Sequence, residues 1–250
     1  DEVGRFAESK MTELGINCVI RPDPSRPSTQ KRRYRVENKS LLRVNRFRKH
    51  PISKELQNEL LADLRHQLAK ADLLVLADFN YGMLPDEFVT ELISIAKGKG
   101  ALIAADSQCS SQLGNVGRFK GADLLTPTEH EARVSLQDQD SGLVVLAEKL
   151  RQKASAKHVL LTLNQEGLLV HAGSDDPWVT DRLPAFCANP VDASGAGDCL
   201  MITTALALCS GSTVWQAAYA GSVAARVQVS RLGNRPIAQA ELLAAVELHQ

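Results

Sequence analysis

Aromatic residues are scarce in this 250-residue sequence. They make up 4% of it, so leucine, valine, isoleucine and alanine must fill the core, as they do where helices cover a parallel sheet. A net charge is also lacking, because 29 basic residues balance 29 acidic ones. With 44% hydrophobic and 23% charged residues, the composition excludes a disordered chain, a collagen and a protein that coats nucleic acid. The length favours one large α/β domain, with or without a small appendage.

Apolar stretches long enough to cross a membrane are lacking too. The longest runs from Cys199 to Cys209, whereas a bilayer requires roughly 18–20 residues. The five cysteines include no C-x-x-C pair and no histidine at a ligand spacing, which predicts small buried thiols in a reducing cytoplasm. The chain starts at Asp1 with no methionine and no signal peptide, so we expect a fragment of a longer protein.

The first 50 residues predict one helix followed by two strands. Apolar residues recur at helical spacing from Glu2 to Leu14, and Gly15 ends that pattern. Two β-like runs, Thr29 to Val36 and Leu41 to Asn45, are separated by the turn residues Glu37-Asn38-Lys39. The two runs therefore predict an antiparallel flap.

Strands and helices alternate along the rest of the sequence. Ser53 begins a helix with a stripe of leucines. Apolar runs predict five strands, at Leu73–Ala77, Ala101–Ala105, Asp123–Thr126, Val159–Thr162 and Leu168–His171, and helical patterns cover residues 87–96, 129–136, 143–154, 197–210, 214–228 and 239–248. This alternation predicts βαβ units in a doubly wound sheet, whose ligands bind at the carboxyl ends of the strands. Asp78, Asp106 and Thr162 lie at those ends.

The most informative segment is Asn189 to Asp198, because an apolar helix follows it at once. Small residues at Gly195, Ala196 and Gly197 let the backbone approach a ligand, and their N–H groups at a helix start form an anion site that suits a phosphate. The same helix end favours an ionised carboxylate at Asp198. A glycine turn with an N-capping aspartate is the alternative, and the spacing alone does not separate the two.

The segment Asp192 to Asp198, D-A-S-G-A-G-D, resembles the second signature of the ribokinase-like (PfkB) carbohydrate kinases, usually D-T-T-G-A-G-D. The resemblance covers the whole chain, without the family's N-terminal segment, and is closest to the heptose 7-phosphate kinases of lipopolysaccharide precursor synthesis. Three segments carry this closer likeness: Lys39–Val44, Asp78–Gly82 and Gly121–Pro127. It implies a three-layer α/β/α fold from residues 1–16 and 50–250, with a small β flap (lid) at 17–49.

The resemblance also implies ATP-dependent phosphorylation of a hydroxyl group on a sugar or sugar phosphate. Asp198 would be the base that takes the hydroxyl proton, and Gly195, Ala196 and Gly197 would form the anion hole. Such a transfer depends on positioning and charge neutralisation, which these residue types supply.

Two carboxylates match metal-binding positions of the family. Glu131 matches the glutamate of the Asn-x-x-Glu motif, which organises Mg²⁺ through water; a solvated helix carboxylate is the alternative. Asp192 matches a carboxylate that in many members helps to hold a monovalent cation such as K⁺; a turn residue is the alternative.

Two further segments match the family's nucleotide site. Thr162 to Gly167 resembles the Thr-x-Gly-x-x-Gly loop, so the likeness implies that Thr162, Asn164 and Gly167 bind ATP. In this loop Asn164 stands where the family has a glycine, and asparagine tolerates the left-handed conformation. Ser230 to Gly233 resembles the loop that closes over adenine, which implies contacts from Ser230 and Gly233.

Basic residues concentrate in the flap, where residues 31–49 hold nine lysines and arginines and one acid. In the family this flap covers the sugar, so we expect Lys31, Arg33 and Arg43 to meet an anionic substrate, together with Asp78. A solvated sheet face is the alternative. Nucleic-acid binding is disfavoured because only two aromatic residues of the flap are available to stack bases. Family members often pair through the flap, which predicts a homodimer.

Two lysines of the heptose kinases are absent. Tyr81 replaces the lysine of Asp-Tyr-x-Lys-Gly, and Gln108 replaces that of Asp-Pro-Lys. The particular sugar is therefore left open. The alternatives are a kinase for an unphosphorylated sugar or nucleoside, and a catalytically idle homologue that serves as a binding module. Retention of Asp198, the glycines before it and Glu131 argues against the idle homologue.

Overall fold

Helices are interspersed with strands from residue 54 onwards in the computed structural model, which describes residues 1–36, 39–109, 114–173 and 179–247. The helices are α1 Glu2–Glu13, α2 Lys54–Leu68, α3 Asp86–Gly98, α4 Glu129–Leu136, α5 Leu143–Ala154, α6 Ala196–Cys209, α7 Val214–Val229 and α8 Gln239–Glu247. The strands are β1 Gln30–Val36, β2 Lys39–Arg46, β3 Leu73–Asp78, β4 Leu102–Ser107, β5 Leu124–Leu125, β6 His158–Thr162, β7 Leu168–His171 and β8 Thr180–Leu183.

The main sheet has the strand order β3-β4-β5-β6-β7-β8. Its first four strands are parallel, whereas β7 and β8 run antiparallel to their neighbours. The turn between β6 and β7 uses left-handed backbone at Asn164 (φ 53°) and Gly167 (φ 91°), which lets the chain reverse without a crossover helix. The alternation of the sequence did not predict β8, because this edge strand exposes Asp181 and Arg182 and has no apolar run.

Helices cover both faces of this sheet. One face packs against α2, α3, α4 and α5 through a core that includes Ile103 and Leu161. The opposite face packs against α6 and α7 and includes Ala104 and Leu160, because successive side chains of a strand point to opposite sides. These three layers confirm the predicted α/β/α ribokinase-like class. Among the described residues, no helix is long and apolar enough to cross a membrane.

Strands β1 and β2 form a separate two-stranded antiparallel sheet, the predicted flap. The ladder extends to the pair Val36 and Lys39, so the second strand begins two residues before the predicted Leu41, and Lys39 belongs to the strand rather than to the turn. Glu37 and Asn38, the other predicted turn residues, lie outside the described residues. A register shift between Tyr34 and Arg35 interrupts the pairing.

Helix α6 is apolar on almost every side because it packs against both the sheet and α7. A Cβ atom added at Gly221 of α7 would lie 2.2 Å from the Thr204 Oγ1 atom and 2.9 Å from the Leu200 carbonyl oxygen of α6. Thr204 is fully buried. The contact between the two helices therefore requires a glycine, and it fixes the position of α6 on the sheet.

We expect Gly221→Ala to lower the free energy of unfolding by roughly 1–3 kcal/mol, because overpacking forces the two helices apart. Gly98→Ala is the matched control, since a Cβ atom there would contact nothing within 4 Å. Alanine also has a helix propensity about 1 kcal/mol better than glycine, so the control should be neutral or stabilising. Urea denaturation measures both values, and equal stabilities for the two variants would contradict the tight contact.

Candidate active site

The start of α6 is the centre of the candidate site. Gly195 caps the helix in the left-handed conformation (φ 82°), and a Cβ atom there would lie 2.3 Å from the Asn234 Oδ1 atom, so only glycine fits. A Cβ atom on Gly197 would meet nothing within 4 Å, which leaves open space above the first helical turn. The N–H groups of a first turn have no acceptor within the helix. The predicted anion hole is thus a helix start with room for a ligand.

Asp198 lies in this first turn and is half-buried. Burial raises the pKa of its carboxyl group above the ordinary value, while the Lys31 charge and a hydrogen bond from Gln108 act in the opposite direction. The Gln108 Nε2 atom donates to the Asp198 Oδ1 atom at 3.4 Å, from the position directly after β4. Three separate elements, β1, β4 and α6, therefore converge on one carboxylate.

Aromatic rings hold Lys31 in place. Its Nζ atom lies 4.6 Å from the ring centroid of Phe79 and 5.3 Å from that of Tyr81, within the range of cation–π attraction. Phe47, which follows β2, stacks on Tyr81 at 4.5 Å between centroids. Tyr81 occupies the position of a lost family lysine, and in this chain it binds the flap lysine instead.

Sequence reasoning noted Asp106 only as a strand end, but it is the most perturbed carboxyl group of the site. It pairs in register with Ala77, and its Oδ1 atom is buried with no hydrogen-bond partner among the described residues. Burial, together with the charges of Glu131, Asp198 and Asp78, raises the pKa of Asp106 to about 8. No local sequence signal separates this aspartate from others at strand ends, because the effect comes from burial among other acids.

Glu131 lies on the first turn of α4, buried beside Asp106. It forms a capping box with Thr128, whose backbone N–H and hydroxyl group each donate to the Glu131 Oε2 atom at 2.8 Å. The backbone N–H of Cys109 donates to the Oε1 atom at 2.9 Å. Glu131, the residue predicted to bind Mg²⁺, therefore also holds the segment after β4 through Cys109 and caps the start of α4. No group of three His, Cys, Asp or Glu side chains within the described ranges lies close enough to hold a metal ion.

Asp78 ends β3 and is also buried. It accepts a hydrogen bond from the Arg118 guanidinium at 2.7 Å and one from the Asn80 backbone N–H at 2.8 Å. Arg118 also pairs with the exposed Asp86 at 2.7 Å. Sequence reasoning missed Arg118, since an arginine in a loop region carries no signal of its own. The structure gives Asp78 a structural partner, and its substrate role remains a prediction.

Asp192 lies in the loop that leads to Gly195. The Arg35 guanidinium of the flap and the Gly233 backbone N–H both donate to its Oδ2 atom, and the Ser194 backbone N–H donates to its Oδ1 atom at 3.1 Å. Burial raises the pKa of Asp192, but the hydrogen bonds from the side chain and backbone of Ser194, from Arg35 and from the Gly233 backbone outweigh burial and lower the pKa to about 2. Arg35 was not among the predicted site residues.

The predicted nucleotide residues fall into two groups. Thr162 ends β6, and Asn164 and Gly167 lie on the turn that follows, whereas Ser230 and Gly233 lie on the loop after α7. No hydrogen bond between described residues joins the first group to Asp198.

The loop after α7 is tied directly to the anion hole by Gln228. Its buried side-chain Nε2 atom donates to the Ser194 carbonyl oxygen at 2.9 Å and to the Gly233 carbonyl oxygen at 3.0 Å. Sequence reasoning missed this residue, which lies in the last turn of a buried helix.

Arg33 and Arg43 lie directly opposite each other in the flap ladder, and both are exposed. The structure therefore brings together Lys31, Gln108 and Asp198 at one point, and Arg35, Asp192 and Gly233 at a second.

Comparison with known proteins identifies the family. The model of the pfkB family of carbohydrate kinases matches residues 1–240. This chain belongs to that family. The predicted enzyme class, a carbohydrate kinase, is thereby confirmed. The family match covers the start of α6, the flap and both loops that carry the predicted nucleotide residues.

Relatives of known sequence and structure agree with this family assignment. The chain is 30% identical to bifunctional protein HldE of Helicobacter hepaticus over 97% of its own length, and 32% identical to HldE of Paramagnetospirillum magneticum over 98%. It spans about half of each of these relatives, 50% in both cases. The pfkB-family chain is also similar in fold to ribokinase from Giardia lamblia (TM-score 0.80, 23% identity, covering 100% of this chain and 80% of that one). A second similar fold is phosphofructokinase-2 from Escherichia coli in complex with potassium (TM-score 0.66, 16% identity, 84% and 67% covered).

The raised pKa of Asp106 predicts a pH-dependent stability for this pfkB-family chain without metal. In the unfolded chain Asp106 titrates near its ordinary pKa, roughly 4, so the folded state binds its proton more tightly. This contribution is fully present below pH ~4 and is lost as the pH rises through about 8. Asp106→Asn should therefore flatten the fall of the unfolding free energy over this range.

Chemical denaturation in the presence of a chelator, at a series of pH values, measures this effect. Asp140→Asn is the control, because Asp140 is exposed in the loop between α4 and α5. An equally steep decline in wild type and in Asp106→Asn would contradict the buried, protonated carboxyl group.

Proposed function

We propose that this chain transfers the γ-phosphoryl group of ATP to a hydroxyl group of a sugar, and that the preferred sugar carries a phosphate, as in a heptose 7-phosphate. The observation that carries this proposal is the convergence of Lys31, Gln108 and Asp198 beside the open first turn of α6. It supplies a base, two groups that favour its charged form and an anion site within one small region.

Asp198 is the base of the proposed reaction. The hydroxyl oxygen forms a bond to the γ-phosphorus while the bond from that phosphorus to the oxygen of ADP breaks, and Asp198 takes the hydroxyl proton. Its carboxylate must be ionised to do so. The Lys31 charge and the Gln108 hydrogen bond favour the ionised form against the cost of burial.

The residues around Asp106 fit a hydrated Mg²⁺ ion. The Asp106 Oδ1 atom is buried without a hydrogen-bond partner among the described residues, and Glu131 lies close enough to raise its pKa. Mg²⁺ prefers oxygen ligands and keeps several of its waters. Asp106 would hold the ion directly, and Glu131, whose oxygens already accept hydrogen bonds from Thr128 and Cys109, would act through the waters of the ion. When bound, the ion neutralises charge on the nucleotide phosphates. The predicted monovalent cation is considered separately below.

The flap arginines support a phosphorylated substrate. Arg33 and Arg43 are directly opposed across the strands, an arrangement of like charges that is unfavourable without an anion. Strand alternation puts both on the same face as Lys31, which faces Asp198. A phosphate dianion between the two guanidinium groups would relieve their repulsion through charge-assisted hydrogen bonds.

The outer face of the flap supports a homodimer. Tyr34, Leu42 and Val44 lie on the side away from Lys31, and each exposes about half of its surface, at 47%, 55% and 46%. An exposed apolar sheet face of this kind favours association, and a second copy of the same flap presents the same surface.

An unphosphorylated sugar or nucleoside is the second candidate substrate. Two positions at which the heptose kinases have lysine favour this candidate. Here Gln108 donates a hydrogen bond to Asp198, and Tyr81 contacts Lys31. Neither side chain carries a charge for a substrate phosphate. The choice between the two substrates therefore depends on the flap arginines.

Asp198→Asn should lower turnover by ~10²–10⁴-fold while nucleotide affinity changes little, because the amide keeps the shape of the side chain and loses only the base. ADP release during turnover and isothermal titration with a non-hydrolysable ATP analogue measure the two quantities. Asp140→Asn, in the exposed loop after α4, should behave as wild type. Turnover near the wild-type rate in Asp198→Asn would refute the assigned base, and ATP binding without turnover in wild type would favour the idle homologue.

Arg43→Ala should reduce the preference for a sugar phosphate over the free sugar by about tenfold or more, since it removes a charge-assisted hydrogen bond. The measurement is kcat/KM for matched sugar and sugar-phosphate pairs at fixed ionic strength, because exposed charges are screened by salt. Arg32→Ala is the control, as Arg32 is exposed on the opposite face of β1. Equal efficiency on both sugars in wild type would instead support the unphosphorylated substrate.

A further inference from the structure

The carboxylate of Asp192 is already fully engaged by the protein. Its Oδ2 atom accepts from Arg35 and from the Gly233 backbone N–H, at 3.1 Å for the latter, and its Oδ1 atom accepts from the Ser194 backbone N–H. The carboxylate is 9% exposed and the Arg35 side chain 23% exposed, so this ion pair lies largely out of water. A partly buried carboxylate and a guanidinium thus neutralise each other directly beside the anion hole.

These contacts do not fit a monovalent cation at Asp192. A K⁺ ion requires oxygen atoms with free lone pairs in place of its hydration shell. Here three N–H donors point at the two oxygens, and one donor carries a full positive charge. A second cation at the same carboxylate would be repelled by Arg35, and the repulsion is strong because few waters screen it.

We propose that the Arg35 guanidinium takes the place of the monovalent cation in this chain, so that the kinase needs no K⁺ for nucleotide binding or turnover. This inference rests on the nucleotide site and anion hole of the proposed function. Arg35 is a positioning residue: it contacts Asp192 and acts through the loop that follows.

The loop connects Asp192 to two parts of the proposed nucleotide site. Ser194 is followed directly by Gly195, the residue that begins the anion hole. The Ser194 carbonyl oxygen and the Gly233 carbonyl oxygen share the Gln228 side chain as donor, and Gly233 also donates to Asp192. A fixed Asp192 therefore fixes both the anion hole and the loop expected over adenine.

Arg35 reaches Asp192 from the flap, 157 positions away in the sequence. The same strand, β1, brings Lys31 to Asp198. The flap therefore places Lys31 near the proposed base, Asp198, and Arg35 against Asp192 in the loop before the anion hole. A K⁺ ion from solution would instead act independently of the flap. If Arg35 takes the place of the cation, the contact at Asp192 forms only when the flap lies against the main domain.

The test compares wild type and Arg35→Ala in choline chloride, NaCl and KCl at matched ionic strength. Isothermal titration with Mg²⁺ and a non-hydrolysable ATP analogue gives the dissociation constant, and ADP release gives kcat and KM. Wild type should show the same values in all three salts. Arg35→Ala should bind the analogue about tenfold more weakly in choline chloride, and K⁺ should restore much of the loss, because the Asp192 Oδ2 atom then keeps only the uncharged Gly233 N–H as donor and has a lone pair for the ion. Arg32→Ala, on the opposite face of β1, should match wild type in every salt.

Each other outcome overturns the inference. Activation of wild type by K⁺ would show that the cation binds despite Arg35. Unchanged nucleotide binding in Arg35→Ala would show that the guanidinium has no role in nucleotide binding. A loss of nucleotide affinity that no cation restores would show that the contact between Arg35 and Asp192 is only structural. Arg35→Lys, which keeps the charge, serves if the alanine variant does not fold, and it should remain independent of K⁺. If wild type binds no nucleotide in any salt, the proposed function falls and this inference with it; if it binds nucleotide but requires K⁺, only this inference falls.

Discussion

Attraction between the basic face of strand β1 and carboxylates on the main domain determines how the candidate site is assembled. Lys31 lies against the rings of Phe79 and Tyr81 with its charge acting on Asp198, and Arg35 pairs with Asp192. A two-stranded sheet is marginal by itself in water, so these contacts also orient the flap. Without them the flap would lose both its anchor and its contribution to the site.

The cost of gathering carboxylates explains why so many cations surround the site. The charges of Glu131, Asp198 and Asp78 all raise the pKa of Asp106. A buried charge without a partner is strongly destabilising, so each acid is compensated in its own way. Arg118 compensates Asp78, backbone and hydroxyl donors satisfy Glu131, and the raised pKa of Asp106 favours its neutral form. Asp106 has an oxygen without a hydrogen-bond partner among the described residues, and it is the residue proposed to hold a metal ion.

Substitutions relative to the heptose kinases also form a consistent set. Tyr81, where the resemblance to these kinases predicts a lysine, contacts the lysine of the flap, and Gln108, at a second such position, donates to Asp198, the proposed base. The positive charge near Asp198 is thereby supplied by Lys31 of the flap rather than by the ends of two strands of the main sheet. A substrate phosphate would then be recognised by the flap, which agrees with the opposed Arg33 and Arg43.

The pattern of apolar residues along short stretches of the sequence was sufficient to predict most helices and strands. Helices α4 and α5 and strand β7 have the bounds that periodicity predicts, and Ser53 caps α2 as its position before the leucine stripe indicates. Strand β8 was missed because a polar edge strand gains its stability from pairing with β7, which no local pattern records. The boundary at Lys39 was wrong for the same reason, since the ladder of β1 extends the partner strand.

By itself, the sequence determined the fold class, a helix start at the small residues before Asp198 and the family to which its signature belongs. These follow from hydrogen bonding, backbone conformation and burial over short stretches of chain, which short-range patterns encode. Only the tertiary structure decided which cation meets which carboxylate. Arg35 and Asp192 are 157 positions apart, and Asp106 differs from an ordinary strand-end aspartate only through the acids and apolar groups packed around it. The energy of an ion pair and the pKa of a carboxyl group both depend on burial and on the charges that packing brings close. These surroundings come from residues far away in the sequence, so the neighbours of a residue in the chain do not reveal them.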